Sequence, residues 1–199
     1  MSKPKSNSAL FMYIVIGLML TVSGVCFTLY YGAFTDSRVI LWVGIASFTI
    51  LYHFWLRSLL GCLTRRFPIR YTAWWFKERR FEKYIFKILR VRKWKGKVLT
   101  YDPEAFALEK HSYEEVANAM AKAETDHWIN QLISLSTMLF PLMWGAPWLF
   151  ISTGIVGMLF DMQFILVQRF HRPIIVRVIE KERKRNSRRA LAKKSEETI

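Results

Sequence analysis

The stretch ALFMYIVIGLMLTVSGVCFTLYYGAF, residues 9–34, contains no charged side chain. A helix needs about 20 mostly apolar residues to cross the hydrocarbon core of a bilayer. This run is long enough, and it decides what kind of chain this is. A second run follows at once, because from Val39 to Leu56 the only side chain that ionises near neutral pH is His53. Together they predict two membrane-crossing helices, near 9–33 and 39–60, joined by the short connection Thr35-Asp36-Ser37-Arg38, with Arg57 snorkelling toward the inner surface. Lys3 and Lys5 ahead of the first run resemble the start of a signal peptide. Its apolar part exceeds the roughly 7–15 residues of such leaders, so the expectation is a helix that stays in the membrane.

The chain of 199 residues is 52% hydrophobic, yet it carries a net charge of +15, and the two coexist because the cations are segregated. Lys and Arg crowd the first residues, the segment from Arg65 to Lys97 and the tail after Val167. By the positive-inside rule these three regions face the cytoplasm, which predicts a multi-pass protein of the cell membrane with both termini cytoplasmic. Cys26 and Cys62 lie in or beside apolar segments and define neither a disulfide framework nor a metal site.

Both termini on one side require an even number of crossings. From Trp128 to Val167 the only formal charge is Asp161, and Met143-Trp144-Gly145-Ala146-Pro147 interrupts the stretch with a strong turn signal. Two helices of about 18–20 residues fit on either side of that turn if the first begins near Glu124. A re-entrant hairpin that never reaches the far side is the rival, and either version returns the C-terminus to the cytoplasm. The expected fold is an all-α membrane protein of about four transmembrane helices in two hairpins. Residues 1–63 form the first hairpin, 64–122 a cytoplasmic amphipathic segment, 123–175 the second hairpin with a polar site, and 176–199 a basic tail.

The segment YTAWWFKERRFEKYIFKILRVRKWKGK, residues 71–97, interleaves aromatics with cations. As one helix it places Trp74, Phe81, Ile85 and Ile88 on one face and Arg79, Arg80, Lys83 and Lys87 on the other. This is the pattern of a basic amphipathic helix lying on anionic headgroups. Attachment to two spans makes lipid, rather than nucleic acid, the anion it meets. Tyr101-Asp102-Pro103-Glu104 reads as a helix start with Pro just inside an Asp cap, and Ser112-Tyr113-Glu114-Glu115 has capping-box spacing. No Gly or Pro follows until Pro141, so one helix is expected to run from Ser112 into the membrane.

That helix carries the chemistry. At about 100° per residue, Glu124, His127, Gln131 and Ser134 fall within an arc of about 80°. Asp161, Gln168 and Arg172 make a similar stripe on the last apolar helix. Ionisable groups held within a membrane are functional-site candidates by default. The bland alternative is an interfacial His127-Trp128 anchor, with Asp161 and Arg169 or Arg172 merely holding helices together.

Three blocks occur in order: Val91-Arg92-Lys93-Trp94-Lys95-Gly96-Lys97, Ala123-Glu124-Thr125-Asp126-His127-Trp128, and Val167-Gln168-Arg169-Phe170-His171-Arg172-Pro173. Together they resemble the glycosyl-4,4'-diaponeurosporenoate acyltransferase family over residues 81–181. The pattern departs at Ile174, where a relative carries Arg. The resemblance implies transfer of a fatty acyl group to a hydroxyl of a glycosylated carotenoid, the last step of a staphyloxanthin-type pathway. Acyl-CoA or acyl carrier protein would be the donor, with no bound cofactor or metal. The expected partners are membrane lipids and an amphiphilic acceptor, and no oligomeric state is indicated.

Acyl transfer to a hydroxyl needs a base, and imidazole is the side chain suited to it near neutral pH. His127 is expected to be that base and Glu124 to orient it, as in acid-His pairs of acyl-transfer sites. Arg92, Lys93, Lys95, Arg169 and Arg172 are expected to hold donor phosphates or the developing oxyanion, with Trp94, Gln131, Asp161 and Gln168 also facing substrate. The H-x4-D pair of glycerolipid acyltransferases is absent. Glu-x-x-His is also a metal-ligand spacing, usually duplicated in di-metal bundles. Here it occurs once, so a metal-dependent lipid oxidase ranks below acyl transfer. A membrane scaffold or transporter subunit is the non-enzymatic alternative.

Overall fold

The computed structural model describes residues 7–98 and 103–196, with side chains from 10 to 98 and from 104 to 193. Every regular element among them is helical. Helix α1 spans Asn7–Tyr31 and α2 spans Arg38–Thr64, close to the expected first hairpin. Tyr101 and Asp102, the expected cap, lie outside the described residues, and a short 3-10 turn begins at Pro103. Helix α5 runs Tyr113–Ser136, and α7 runs Pro147–Glu196 with Pro173 inside it. The chain divides into two compact units, residues 1–66 with 129–158, and residues 67–128 with 159–199.

In the first unit, α1 and α2 pack where Gly44 lets backbones approach. A Cβ at that position would lie 3.0 Å from Cys26 Cβ. Small residues bring helices close where lipid supplies no hydrophobic drive between them. Gly154 and Gly157 do the same for α7 against α5, with Ser134 O only 2.9 Å from a Cβ built on Gly154. Phe27, Phe48, Phe140, Trp144 and Phe150 join in a chain of ring contacts, including Phe27 stacked on Trp144 at 6.0 Å. Arg57 donates to Ser134 Oγ at 3.3 Å.

The second hairpin differs from expectation. α5 does not continue to Pro141 but tightens into a 3-10 turn at Thr137–Leu139, followed by the short helix α6 at Pro141–Trp144. The cause is local. Ser136 and Thr137 hydroxyls bond back to the carbonyls of Ile133 and Ser134, both at 2.7 Å, and Pro141 supplies no N–H. The predicted turn is present, with Gly145 at φ 72° and Ala146 at φ 51°. Among the described residues three helices, rather than four in two hairpins, are each long and apolar enough to cross a membrane: Leu10–Tyr31, Arg38–Thr64 and Pro147–Lys193.

In the second unit the expected amphipathic helix is also interrupted. A 3-10 turn at Trp74–Phe76 precedes α3 (Arg80–Ile88), and α4 (Val91–Trp94) follows after Arg90, whose φ is 49°. Trp74 therefore shares no helix with Phe81. The start of α5 is as predicted: Ser112 N–H donates to Glu115 Oε2 at 2.8 Å, and Glu115 N–H donates to Ser112 Oγ at 3.3 Å. These two reciprocal bonds hold the first turn of the helix that carries Glu124 and His127.

Candidate active site

In the second unit, α5 presents Glu124 and His127, α3 presents Glu82, and α7 presents Asp161, Arg169 and Arg172. On α7 the two arginines lie about two and three turns beyond Asp161, so all three share a face. The titratable groups sort into two sets.

The first set is a buried ion cluster. Arg169 donates from Nε to Glu124 Oε1 at 2.7 Å, from Nη1 to Glu82 Oε1, and from Nη2 to the Trp75 carbonyl at 3.2 Å. Arg172 donates from Nη1 to Glu124 Oε2 and from Nη2 to the Phe76 carbonyl at 2.9 Å. Its guanidinium also lies over the Phe76 ring, 4.9 Å from the centroid. Two carboxylates and two guanidiniums balance in charge, and both oxygens of Glu124 accept from arginine. Burying charges is tolerated when they are paired and hydrogen-bonded, and every charge of this cluster is paired, with Arg172 Nε its one guanidinium nitrogen buried without a hydrogen-bond partner among the described residues.

The second set is open. His127 Nδ1 and Asp161 Oδ1 are 2.9 Å apart, and the imidazole lies flat on Phe164 with centroids 4.4 Å apart and planes 3° from parallel. A carboxylate oxygen accepts, so Nδ1 donates and the lone pair stays on Nε2. Asp161 is enclosed, while the His127 side chain keeps 22% of its surface. The carboxylate facing His127 is therefore Asp161, 34 residues away on α7, and not Glu124, although Glu124 has the local helical spacing. Glu124 turns toward arginine because two guanidiniums meet it there.

The remaining expected residues are dispersed. Lys95 Nζ lies 3.0 Å from His171 Nε2 and 4.6 Å from the Phe170 ring centroid. Trp94 Nε1 donates to the Leu89 carbonyl at 2.9 Å, which closes its own turn, while Arg92 and Lys93 are exposed. Gln168 is half-buried. Gln131 belongs to the first unit, where Nε2 donates to the Met158 carbonyl at 2.9 Å and Oε1 is buried with no partner among the described residues. Glu82, Trp75, Phe76 and Phe164 are components that sequence reasoning missed. Glu82 had one signal, an acid inside a strongly basic segment, but its partner lies 87 residues away.

The sequence model described as glycosyl-4,4'-diaponeurosporenoate acyltransferase matches residues 72–181, more than half of the chain. The chain belongs to that family of acyltransferases. The match takes in Glu82, Glu124, His127, Asp161, Arg169 and Arg172, while α1 and α2 lie outside it. Comparison with curated proteins and with solved structures gives no match. The family and the three apolar helices together describe a membrane-bound acyltransferase.

Proposed function

We propose that this protein moves a fatty acyl group from a thioester donor, acyl-CoA or acyl carrier protein, to a hydroxyl of an amphiphilic acceptor. The acceptor is a glycosylated carotenoid or a lipid of similar build, with its sugar at headgroup level. The observation that carries the reading is the His127–Asp161 contact, because it leaves Nε2 available while the carboxylate holds the ring from behind. Nε2 takes the hydroxyl proton as the oxygen attacks the thioester carbonyl. The carbon–sulfur bond then breaks, and the imidazolium returns the proton to the departing thiolate. Asp161 orients the imidazole and stabilises its cation. Glu124 acts one layer back, holding Arg169 and Arg172 in place.

Exposed Arg92 and Lys93 are suited to the phosphates of the donor. The positive-inside rule supports a cytoplasmic placement of the N-terminus, residues 65–97 and the basic tail, on the side where such a donor is found. Residues 129–158 then enter the membrane from that side and return to it.

Lipid mass spectrometry of cells that make the glycosylated carotenoid, expressing the native chain or His127→Ala at matched membrane levels, tests this. The expected result is a fatty-acyl increment on the acceptor with the native chain and a loss of about 10²- to 10⁴-fold in the variant. No acylated product from the native chain, with a stable membrane partner recovered instead, would sink the enzymatic reading in favour of a scaffold.

A further inference from the structure

Helix α3 is built the wrong way round for a helix facing water. At about 100° per residue, Phe81, Tyr84 and Ile88 fall within an arc of about 60° on one face, Glu82 and Phe86 lie on a second, and Arg80, Lys83 and Lys87 lie on a third. The face turned inward carries the acid: Glu82 is only 4% exposed, bound to Arg169, and Phe86 packs edge-on against Phe170 at 5.4 Å. The apolar face is bare, with Phe81 54%, Tyr84 68% and Ile88 59% exposed. Three large apolar side chains on adjacent turns form a contiguous patch, which marks a binding surface rather than scatter.

The surroundings say what covers it. Arg80 and Lys87 are exposed and make no ion pair among the described residues, while Lys83 is 3.6 Å from Glu78. An aromatic and aliphatic face bordered by cations on a second face matches the interior and the anionic headgroups of one bilayer leaflet. The chain runs into this segment from α2, one of the helices apolar enough to cross a membrane. We infer that α3 docks on an anionic bilayer surface through Phe81, Tyr84 and Ile88, with Glu82 turned away from lipid to hold Arg169. Lipid contact and the buried ion cluster thus use opposite sides of one short helix, so docking steadies the arginine that holds Glu124.

The full chain, reconstituted in nanodiscs with Cys26→Ser and Cys62→Ser, tests the orientation through a nitroxide at Tyr84→Cys or at Lys83→Cys. Oxygen, which concentrates in lipid, and a water-soluble nickel chelate report which medium each label meets. With phosphatidylglycerol present, the label at 84 is expected to favour oxygen and the label at 83 to favour nickel. In phosphatidylcholine alone, nickel access at 84 should rise several-fold. Adding Phe81→Ser with Ile88→Ser should make 84 behave like 83. Circular dichroism confirms that each variant is folded, and a label at Ile88→Cys gives an independent reading should Tyr84→Cys fail to fold.

Equal nickel access at 84 and 83 with phosphatidylglycerol present overturns the docking. Shielding of 84 from both reagents means that protein covers the face, which also overturns it. Unchanged depth in phosphatidylcholine overturns the requirement for anionic lipid.

Discussion

The His127–Asp161 pair and the Glu82–Glu124–Arg169–Arg172 cluster both set a carboxylate against a nitrogen base across α5 and α7, with α3 adding Glu82 to the cluster. They differ in what is left over. In the cluster both oxygens of Glu124 are occupied by arginine, Arg169 also reaches Glu82 and the Trp75 carbonyl, and the donor left over, Arg172 Nε, is buried with no partner among the described residues. In the pair one carboxylate and one packed ring consume half of the imidazole, and the other nitrogen stays available. A closed set of charges suits structure, and a set with one open valence suits chemistry.

Truncation should separate the two regions. The largest expected effect is on folding, from Arg172→Ala, which leaves Glu124 buried with one guanidinium fewer. Breaking a buried pair from one side costs about 3–5 kcal/mol. Thermal unfolding in detergent should show a larger loss for Arg172→Ala, which breaks an arginine–carboxylate pair inside the cluster, than for His127→Ala, which takes the partly exposed imidazole from the enclosed Asp161; equal destabilisation by both would erase the contrast. The second effect is on activity alone. Asp161→Asn keeps the shape of the pair but lets the wrong nitrogen carry the proton, so turnover should fall roughly a hundredfold or more while the fold persists. Glu124→Gln at matched folded protein should cost less activity than Asp161→Asn. The reverse order would return to Glu124 the orienting role that its sequence spacing first suggested.

The smallest effect lies at the start of α5, which carries residues of both regions. The Ser112 backbone N–H, followed by its hydroxyl, holds the Glu115 carboxyl below its ordinary value. A depressed carboxyl stabilises the folded state above its unfolded pKa, and that contribution disappears as pH falls through the folded value. Protection factors of the first-turn amides should therefore drop on acidification through the carboxylate range. Glu115→Gln should flatten that dependence, without changing the relation between the two clusters.

Much of the fold was legible because its signals are local. The bounds of α1 and α2 follow from uninterrupted apolar runs, the capping box from two residues three apart, and the turn from Gly145-Ala146-Pro147. Two local readings failed. α3 ends early at Ile88, just ahead of the left-handed Arg90, and α5 tightens at Thr137, where hydroxyls bonding back to the chain compete with the helical ladder. Those hydroxyls were visible in the sequence, but periodicity gives them no weight.

What the sequence by itself determined was which helices are apolar enough to cross a membrane, the ends of several helices, and the short set of candidate residues for chemistry. Glu124, His127, Asp161, Arg169 and Arg172 all stood out as ionisable groups near long apolar runs. Only the tertiary structure decided who faces whom. His127 meets a carboxylate 34 residues away rather than the one three residues before it, and Arg169 reaches Glu82 across 87 residues. Helical spacing states which side chains share a face, but a buried charge takes the partner that best repays its lost hydration, and that partner is brought in by the packing of other helices.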